Sequence, residues 1–257
     1  MPRTVSRKNI LYPRGYIYVA PLDDNGVKQG LIDIGESMDF TVTLAIDEEE
    51  IISGRGGIKE LFDTMKIAGG VEIAFEAKEF NRENINLAFL GDGLNALLQG
   101  SGVVSDLPIT VKALDRWYQL GYRDCVSIDV DGYVLDVDYK VRSLSGRETL
   151  IMPLSEGSIA VDEVLDVSFT YTAWAGIDIR PLTDIDRIFY MKFVGNPERG
   201  PVMEPEWWKV VLQCKEALPL IGDKVGAIKF TGKVLSDREN HPDDPFGHFP
   251  IKEDWPS

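Results

Sequence analysis

The chain of 257 residues holds only two histidines, two cysteines and no long apolar run. So little histidine leaves small scope for imidazole-centred acid–base or metal chemistry. His241 and His248 both fall in the tail DRENHPDDPFGHFPIKEDWPS, beside Asp243 and Asp244. That spacing matches no dense ligand set, and the simpler reading makes them loop residues. Cys125 and Cys214 are far apart in apolar surroundings, which predicts free thiols rather than a disulfide. No stretch reaches the roughly 18 apolar residues of a membrane helix. The start, MPRTVSRKNILYPRG, lacks the apolar core of a signal peptide, so neither a membrane segment nor a secretory leader is expected.

Catalytic signatures are equally sparse. GxSxG does not occur, and no histidine stands near a cysteine. GDGLNALLQGSG at 91–102 lacks the GxGxxG spacing, and SGRGG at 53–57 has no Lys–Ser/Thr pair after it. DVDG at 129–132 places its glycine too early for a calcium loop and has no distal glutamate. Carboxylate pairs mean little in a chain this acidic. The expectation is a protein that is not an enzyme and carries no cofactor.

Positive charge is also in short supply. Lys and Arg number 27 against 42 acids, a net −15. Residues 1–16 hold Arg3, Arg7, Lys8 and Arg14 without an acid, so a basic arm precedes a body more negative than the whole. Such a body does not gather nucleic acid by counterion release.

What is present is β pattern. Phe40, Val42, Leu44 and Ile46 alternate with Asp39, Thr41 and Thr43. Val71, Ile73 and Phe75 alternate with Glu72, Ala74 and Glu76; Leu165, Val167, Phe169 and Tyr171 alternate with Asp166, Ser168, Thr170 and Thr172. This period of two describes antiparallel strands with one wet face. Further strands are expected at 15–20, 107–114, 186–194, 207–215 and 225–235. Asp131–Gly132 suits a type I′ turn, predicting a hairpin in which Val130, Ile128 and Val126 face Tyr133, Leu135 and Val137. Helix is scarce: Asn81 caps NRENINLAFL, Gly91 stops it, and a further turn is expected at 93–99. The tail, 237–257, reads as an irregular strap. The fold class is therefore mainly β, an antiparallel β-sandwich or partial barrel with one short helix, read as one domain over 1–257.

The order of these segments resembles the tail tube (major tail) proteins of long-tailed bacteriophages over nearly the whole chain. The carrying blocks are RGYIYVAPLD (14–23), GLIDIGESMDFTVTLAIDEEEIISGRGGIKE (30–60) and GVEIAFEAKEFNRENINLAFLGD (70–92). They continue in VSIDVDGYVLDVDYKV, GSIAVDEVLDVSFTYTA (157–173), FYMKFVGNPERG (189–200) and VGAIKFTGKVLSD (225–237). Phe169 stands where the family's "D-x-S-Y-T-Y" strand has a tyrosine. Each block alone is weak, and their shared order is the signal.

The resemblance implies a virion protein of the tail, assembled in the host cytoplasm. Six subunits would form a ring whose sheets join into a continuous β-barrel, and rings would stack into a channel for genome ejection. Its partners would be further copies of itself, a tape measure protein, tail tip and terminator proteins, and genomic DNA that passes without specific binding. About four strands from each of six subunits would close a barrel of roughly 24, wider than the 16–18 that already leave a water-filled channel. A wall that is acidic or neutral would let DNA slide, since repulsion reaches only about 8 Å at physiological salt.

On this reading two polar faces compete for the lumen. One comprises Thr41, Thr43, Glu72, Glu76, Asp166, Ser168, Thr170 and Thr172; the rival is the acid face Asp129, Asp136 and Asp138. Asp47, Glu48, Glu49, Glu50 and Arg55 lie in an expected loop, 47–57, that meets the next ring, where Arg3, Arg7, Lys8 and Arg14 are the basic counterparts. A tail terminator or a secretion-system tube shares the same logic. A carbohydrate- or metal-binding β-sandwich is the alternative of another class, with Trp117, Tyr118, Trp207 and Trp208 as aromatic candidates that read more simply as core or interface anchors.

Overall fold

The computed structural model describes residues 10–53, 60–214, 216–223 and 225–252. The chain divides into two compact units, one of 1–94 with 179–257 and the other of 95–178. The sequence reading of one domain did not mark this division.

The first unit is built on seven antiparallel strands. These are β1 (Gly15–Pro21), β2 (Ile32–Asp33), β3 (Ser37–Ser53), β4 (Glu60–Ala77), β13 (Phe189–Gly195), β14 (Glu206–Cys214) and β15 (Ile228–Leu235), in the order β2-β1-β13-β14-β15-β4-β3. Alternation decides which side each strand buries. In β15, Ile228, Phe230 and Val234 face inward while Lys229 and Lys233 stay wet. They meet Ile17 and Val19 of β1, Met191 of β13, Trp207 and Leu212 of β14, and Ile73 and Phe75 of β4 in one core. Phe40 of β3 stacks on Phe193 at 5.0 Å and extends that core toward the sheet edge.

One helix, α1 (Arg82–Phe89), packs on this core through Leu87, with Ile85 and Ala88 beside it. Asn81 is its N-cap, accepting from the Asn84 amide at 2.8 Å, and Leu90 closes it in the left-handed region. The cap and the stop before Gly91 agree with the sequence reading. After the helix the structure departs from it: 95–99 form β5 (Asn95–Gln99), paired with β12 (Trp174–Asp178), where a helical turn was expected.

The second unit has β5 and β12 and two three-stranded antiparallel sheets. One is β7 (Tyr118–Arg123), β10 (Glu148–Pro153) and β9 (Tyr139–Arg142); the other is β6 (Gly102–Thr110), β11 (Val164–Tyr171) and β8 (Cys125–Val130). The two sheets share a core of Ile109, Leu120, Val130, Ile151, Leu165 and Phe169, among others. The expected strand 107–114 thus begins earlier and ends at Thr110.

Two sequence expectations are overturned here. The hairpin about Asp131–Gly132 does not form, because β8 pairs with β11, Val130 opposite Val167. Past the turn, Val137 and Asp138 donate their amides to the Val134 carbonyl, and Asp136 sits at φ 65°. Val134, Leu135 and Val137 are all exposed; their alternation finds no core, and aspartates bonding nearby backbone favour turns over extension. The loop expected at 47–57 is also replaced, as far as it is described, by strand. β3 runs on through the acids to Ser53, with Glu48 in register with Lys66 and Glu50 with Thr64. Glu48, Glu49 and Glu50 are exposed, and water weakens repulsion among exposed acids, so the backbone ladder prevails.

No sheet closes into a barrel among the described residues. No helix of the described residues is long and apolar enough to cross a membrane. Both cysteines are free, Cys125 buried and Cys214 half-buried. Burial pushes each thiol above its ordinary value.

Candidate functional site

The outer face of the seven-stranded sheet gathers part of the first expected wall. Thr43 pairs across with Glu72, and Glu72 with Lys233; Thr41 pairs with Ala74, and Glu76 with Lys229. Directly opposed residues project to one side, so Thr41, Thr43, Glu72 and Glu76 share a face with Lys229 and Lys233. Lys229 lies 2.9 Å from Glu216 and 3.5 Å from Glu76. First Glu216 and then Glu76 hold its ammonium above the ordinary lysine value. A shallow groove of about 370 Å³ runs over Thr43, Glu72, Gln213 and Lys233. The face is therefore of mixed charge, because Lys229 and Lys233, which the sequence grouping did not include, share it with the threonines and glutamates. Asp39 drops out of the alternation, since it takes φ 52° in the bulge between Met38 and Thr41.

The other half of that wall belongs to the second unit. Asp166, Ser168 and Thr170 line the outer side of β11, Ser168 paired with Asp129, and Thr172 lies just past the strand. The sequence grouping thus splits between sheets of two units. The rival acid face does not hold as a face, because Asp138 is buried while Asp129 and Asp136 are exposed. Asp138 accepts from the Val134 amide at 2.8 Å and the Ser158 amide at 2.7 Å. Those two backbone donors, Val134 first, hold its carboxyl below the usual aspartate range. A depressed folded pKa gives stability that is present above the unfolded value of about 3.9 and lost as pH falls through the folded value. Asp138→Ala is therefore expected to lower the melting temperature at pH 7, and the gap from the native protein should shrink below about pH 4. Thermal scans across pH 2.5 to 7, as an approximate range, check this; a constant gap would remove the carboxylate's role.

The ribbon of β3 and β4 is the second feature. β15 pairs with β4 only over 71–77, so 60–70 pair with β3 alone. β3 is also the last strand of the sheet, and among the described residues nothing pairs with its outer edge. Phe40 and Val42 pack on the core, but Leu44 and Ile46 on the same side are 73% and 54% exposed. Ile51 and Ile52 are exposed further along, and so are Glu48, Glu49 and Glu50. A long open edge with an uncovered apolar stripe invites a partner strand or surface. Of the remaining expected ring contacts, Arg14 lies 2.8 Å from Glu198 with both side chains largely exposed. Arg3, Arg7, Lys8 and Arg55 lie outside the described residues, as does the side chain of Asp47.

The aromatic candidates are absorbed by packing. Trp207 is core. Trp208 stacks on His241 at 3.9 Å, stands 4.9 Å from His248, and donates Nε1–H to the Asp244 carbonyl. Both histidines thereby fasten the tail, 237–252, to β14. Gly247 permits that approach, taking φ +131° where a Cβ would stand 2.0 Å from the Glu206 carbonyl oxygen. Beside them Glu206 accepts from the Tyr190 hydroxyl at 2.5 Å and from Lys192 at 2.9 Å. Burial raises the Glu206 pKa, but these two donors more than offset it and hold the carboxyl low; burial and Glu206 push the Tyr190 phenol up. Trp117 is exposed, and the Tyr118 hydroxyl is spent on backbone groups of Lys112 and Ala113. The tail clasp was missed from sequence because stacking of Trp208 on a histidine over thirty positions away leaves no local pattern.

The family described as "Protein of unknown function UCP028589" matches residues 10–250, across both units. The chain belongs to that family. No curated protein matches it. The matched span takes in the ribbon, the seven-stranded sheet, the second unit and most of the tail clasp.

Proposed function

We propose that this chain is the structural subunit of a bacteriophage tail tube, six copies to a ring, with rings stacked into a hollow channel for DNA ejection. The observation that carries the reading is the open-edged β3–β4 ribbon with its uncovered apolar stripe, Leu44 and Ile46. A monomer in water gains nothing from that stripe, whereas a neighbouring copy would bury it. A heterologous contact whose rotation closes gives a ring. The ordered resemblance of the sequence blocks to tail tube proteins supports the same reading.

In this assembly the outer face bearing Thr41, Thr43, Glu72 and Glu76 lines the bore. Its lysines oppose its glutamates, so the wall offers duplex DNA no run of unpaired positive charge to hold it by counterion release. The partners are other copies, a tape measure protein, tail tip and terminator proteins, and the passing genome; the place is the virion tail. The protein acts without catalysis or cofactor.

Negative-stain microscopy of the concentrated protein, with and without preformed tail tips as seeds, tests this. Long cylinders of repeating rings are expected. Single rings alone would assign it to a terminator, and particles that stay single even with seeds would overturn the proposal.

A further inference from the structure

The two ends of the seven-stranded sheet approach each other without joining. β2 covers β1 only opposite Tyr18 and Val19. The Arg14 carbonyl accepts from Asn196, just past β13, at 2.8 Å. Main-chain groups alternate in direction along an antiparallel strand, so Gly15 and Ile17 turn theirs away from β13. β3 is the last strand of the sheet, and its start faces this free stretch. Between them lies a groove of about 480 Å³, with Gly15 and Ile17 on one side, Met38, Phe40 and Thr41 on the other, and Phe193 between. Phe40 and Phe193 stack at 5.0 Å, and both are only half-buried. A Cβ at Gly15 would stand 2.4 Å from the Phe193 ring, so the missing side chain makes room for it. An apolar floor between two open strand edges is the arrangement that takes up an added strand.

The groove continues into a polar part of about 710 Å³, which shares Pro13, Arg14, Gly15 and Ser37 with it and adds Asp33, Glu36 and Glu79. Asp33 and Glu79 each accept one backbone N–H, from Gly35 and Glu36, at 2.9 Å, and all three acids stay exposed. Asp39 lines the apolar part. Against these four carboxylates the described lining sets one cation, Arg14, which already lies 2.8 Å from Glu198. The groove therefore fits an extended segment whose apolar residue is flanked by positive charge. The stretch before Ile10 reads MPRTVSRKN, with three basic residues and no acid, and Val5 stands two positions from both Arg3 and Arg7. In an extended chain those three side chains share one side.

We infer that residues 3–7 of one copy add as a strand to the β1–β3 groove of another, with Val5 on Ile17, Phe40 and Phe193 and with Arg3 and Arg7 toward the acids. The chain's own arm falls short of that position. Ile10 and Leu11 lie against Gly200, and the Tyr12 amide donates to the Arg199 carbonyl at 2.9 Å, so the chain leaves β1 along the strand's own line. Even a two-residue reversal at Lys8 and Asn9, the tightest common hairpin, puts Val5 opposite Tyr12, five positions before Ile17. Arm and groove are different parts of one surface, so each copy that lends its arm keeps a free groove, and the contact propagates head to tail. The inference deepens the tube reading by naming a contact between copies, and rests on it only in taking a second copy as the partner.

The test uses full-length protein in which Cys214→Ser removes the half-buried thiol, carrying either Val5→Cys or Met38→Cys; Met38 is 48% exposed at the groove. Mixed under mild oxidation, the two variants are expected to give a disulfide-linked dimer whose peptides join positions 5 and 38 in mass spectrometry. A chain with both substitutions should give a ladder of multimers. A linked monomer in its place would assign the groove to the chain's own arm and overturn the proposal. Arg3→Glu with Arg7→Glu, at an unchanged circular dichroism spectrum, should weaken self-association about tenfold or more in sedimentation, and Glu36→Lys in the same chain should restore part of it. Cylinders that form normally from Val5→Asp, with no linkage in the mixture, would overturn the contact and leave the tube reading standing. Linkage without cylinders would uphold the contact and sink the tube.

Discussion

Reversing Glu48, Glu49 and Glu50 to lysine abolishes cylinder formation and leaves the subunit folded; that is the largest effect expected on assembly. The three acids are exposed on the ribbon, beyond the stretch where β15 supports β4. The hydrophobic core lies elsewhere, so the substitution touches little that holds the fold. As exposed surface substitutions away from that core, the three replacements are expected to cost the fold no more than about 0.5 kcal/mol each. At a ring contact the same change turns three attractions into three repulsions. The basic counterpart within the described residues is Arg14, whose exposed pairing with Glu198 is worth only about 0–1 kcal/mol and is readily exchanged. Sedimentation of the variant, with its near-ultraviolet circular dichroism, checks both halves. Normal cylinders would remove these acids from the contact between rings.

Trp207→Ala is expected to cost about 3–5 kcal/mol, a large part of the roughly 5–15 kcal/mol by which domains are stable. Trp207 is 2% exposed. Its ring lies 5.8 Å from Phe40 and 5.7 Å from Phe249, so it joins the sheet core to both β3 and the tail. Removing it leaves a cavity that the flanking aromatics fill only in part. Guanidinium denaturation should show an earlier midpoint, and hydrogen exchange should show lost protection in β14 and β15. A loss below about 1 kcal/mol would contradict this packing.

Strands with one wet face and one core face were legible because a single residue type at every second position reports burial directly. Val71–Ile73–Phe75 and Leu165–Val167–Phe169 are strand residues as read. Asn81 was legible because capping is local chemistry within three residues. The segment 133–138 was misread because its alternation is the same signal without a core behind it. The acids at 47–50 were misread because local charge pattern cannot register that β4 supplies a full ladder opposite them. Of the residues grouped from the sequence, Thr43 and Glu72 share a face, while Asp166 and Ser168 lie on a sheet of the other unit.

The sequence by itself determined the β class, the capped helix and the faces that β4 and β11 bury around Ile73, Phe75, Leu165 and Val167, since all of these depend on neighbours a few residues apart. Only the tertiary structure decided which strands pair, where the chain divides into units, that Asp138 is buried, and that β3 and its apolar stripe are left at an open edge. Those outcomes depend on contacts between residues tens of positions apart, whose energy exists only once the chain has closed the loops between them.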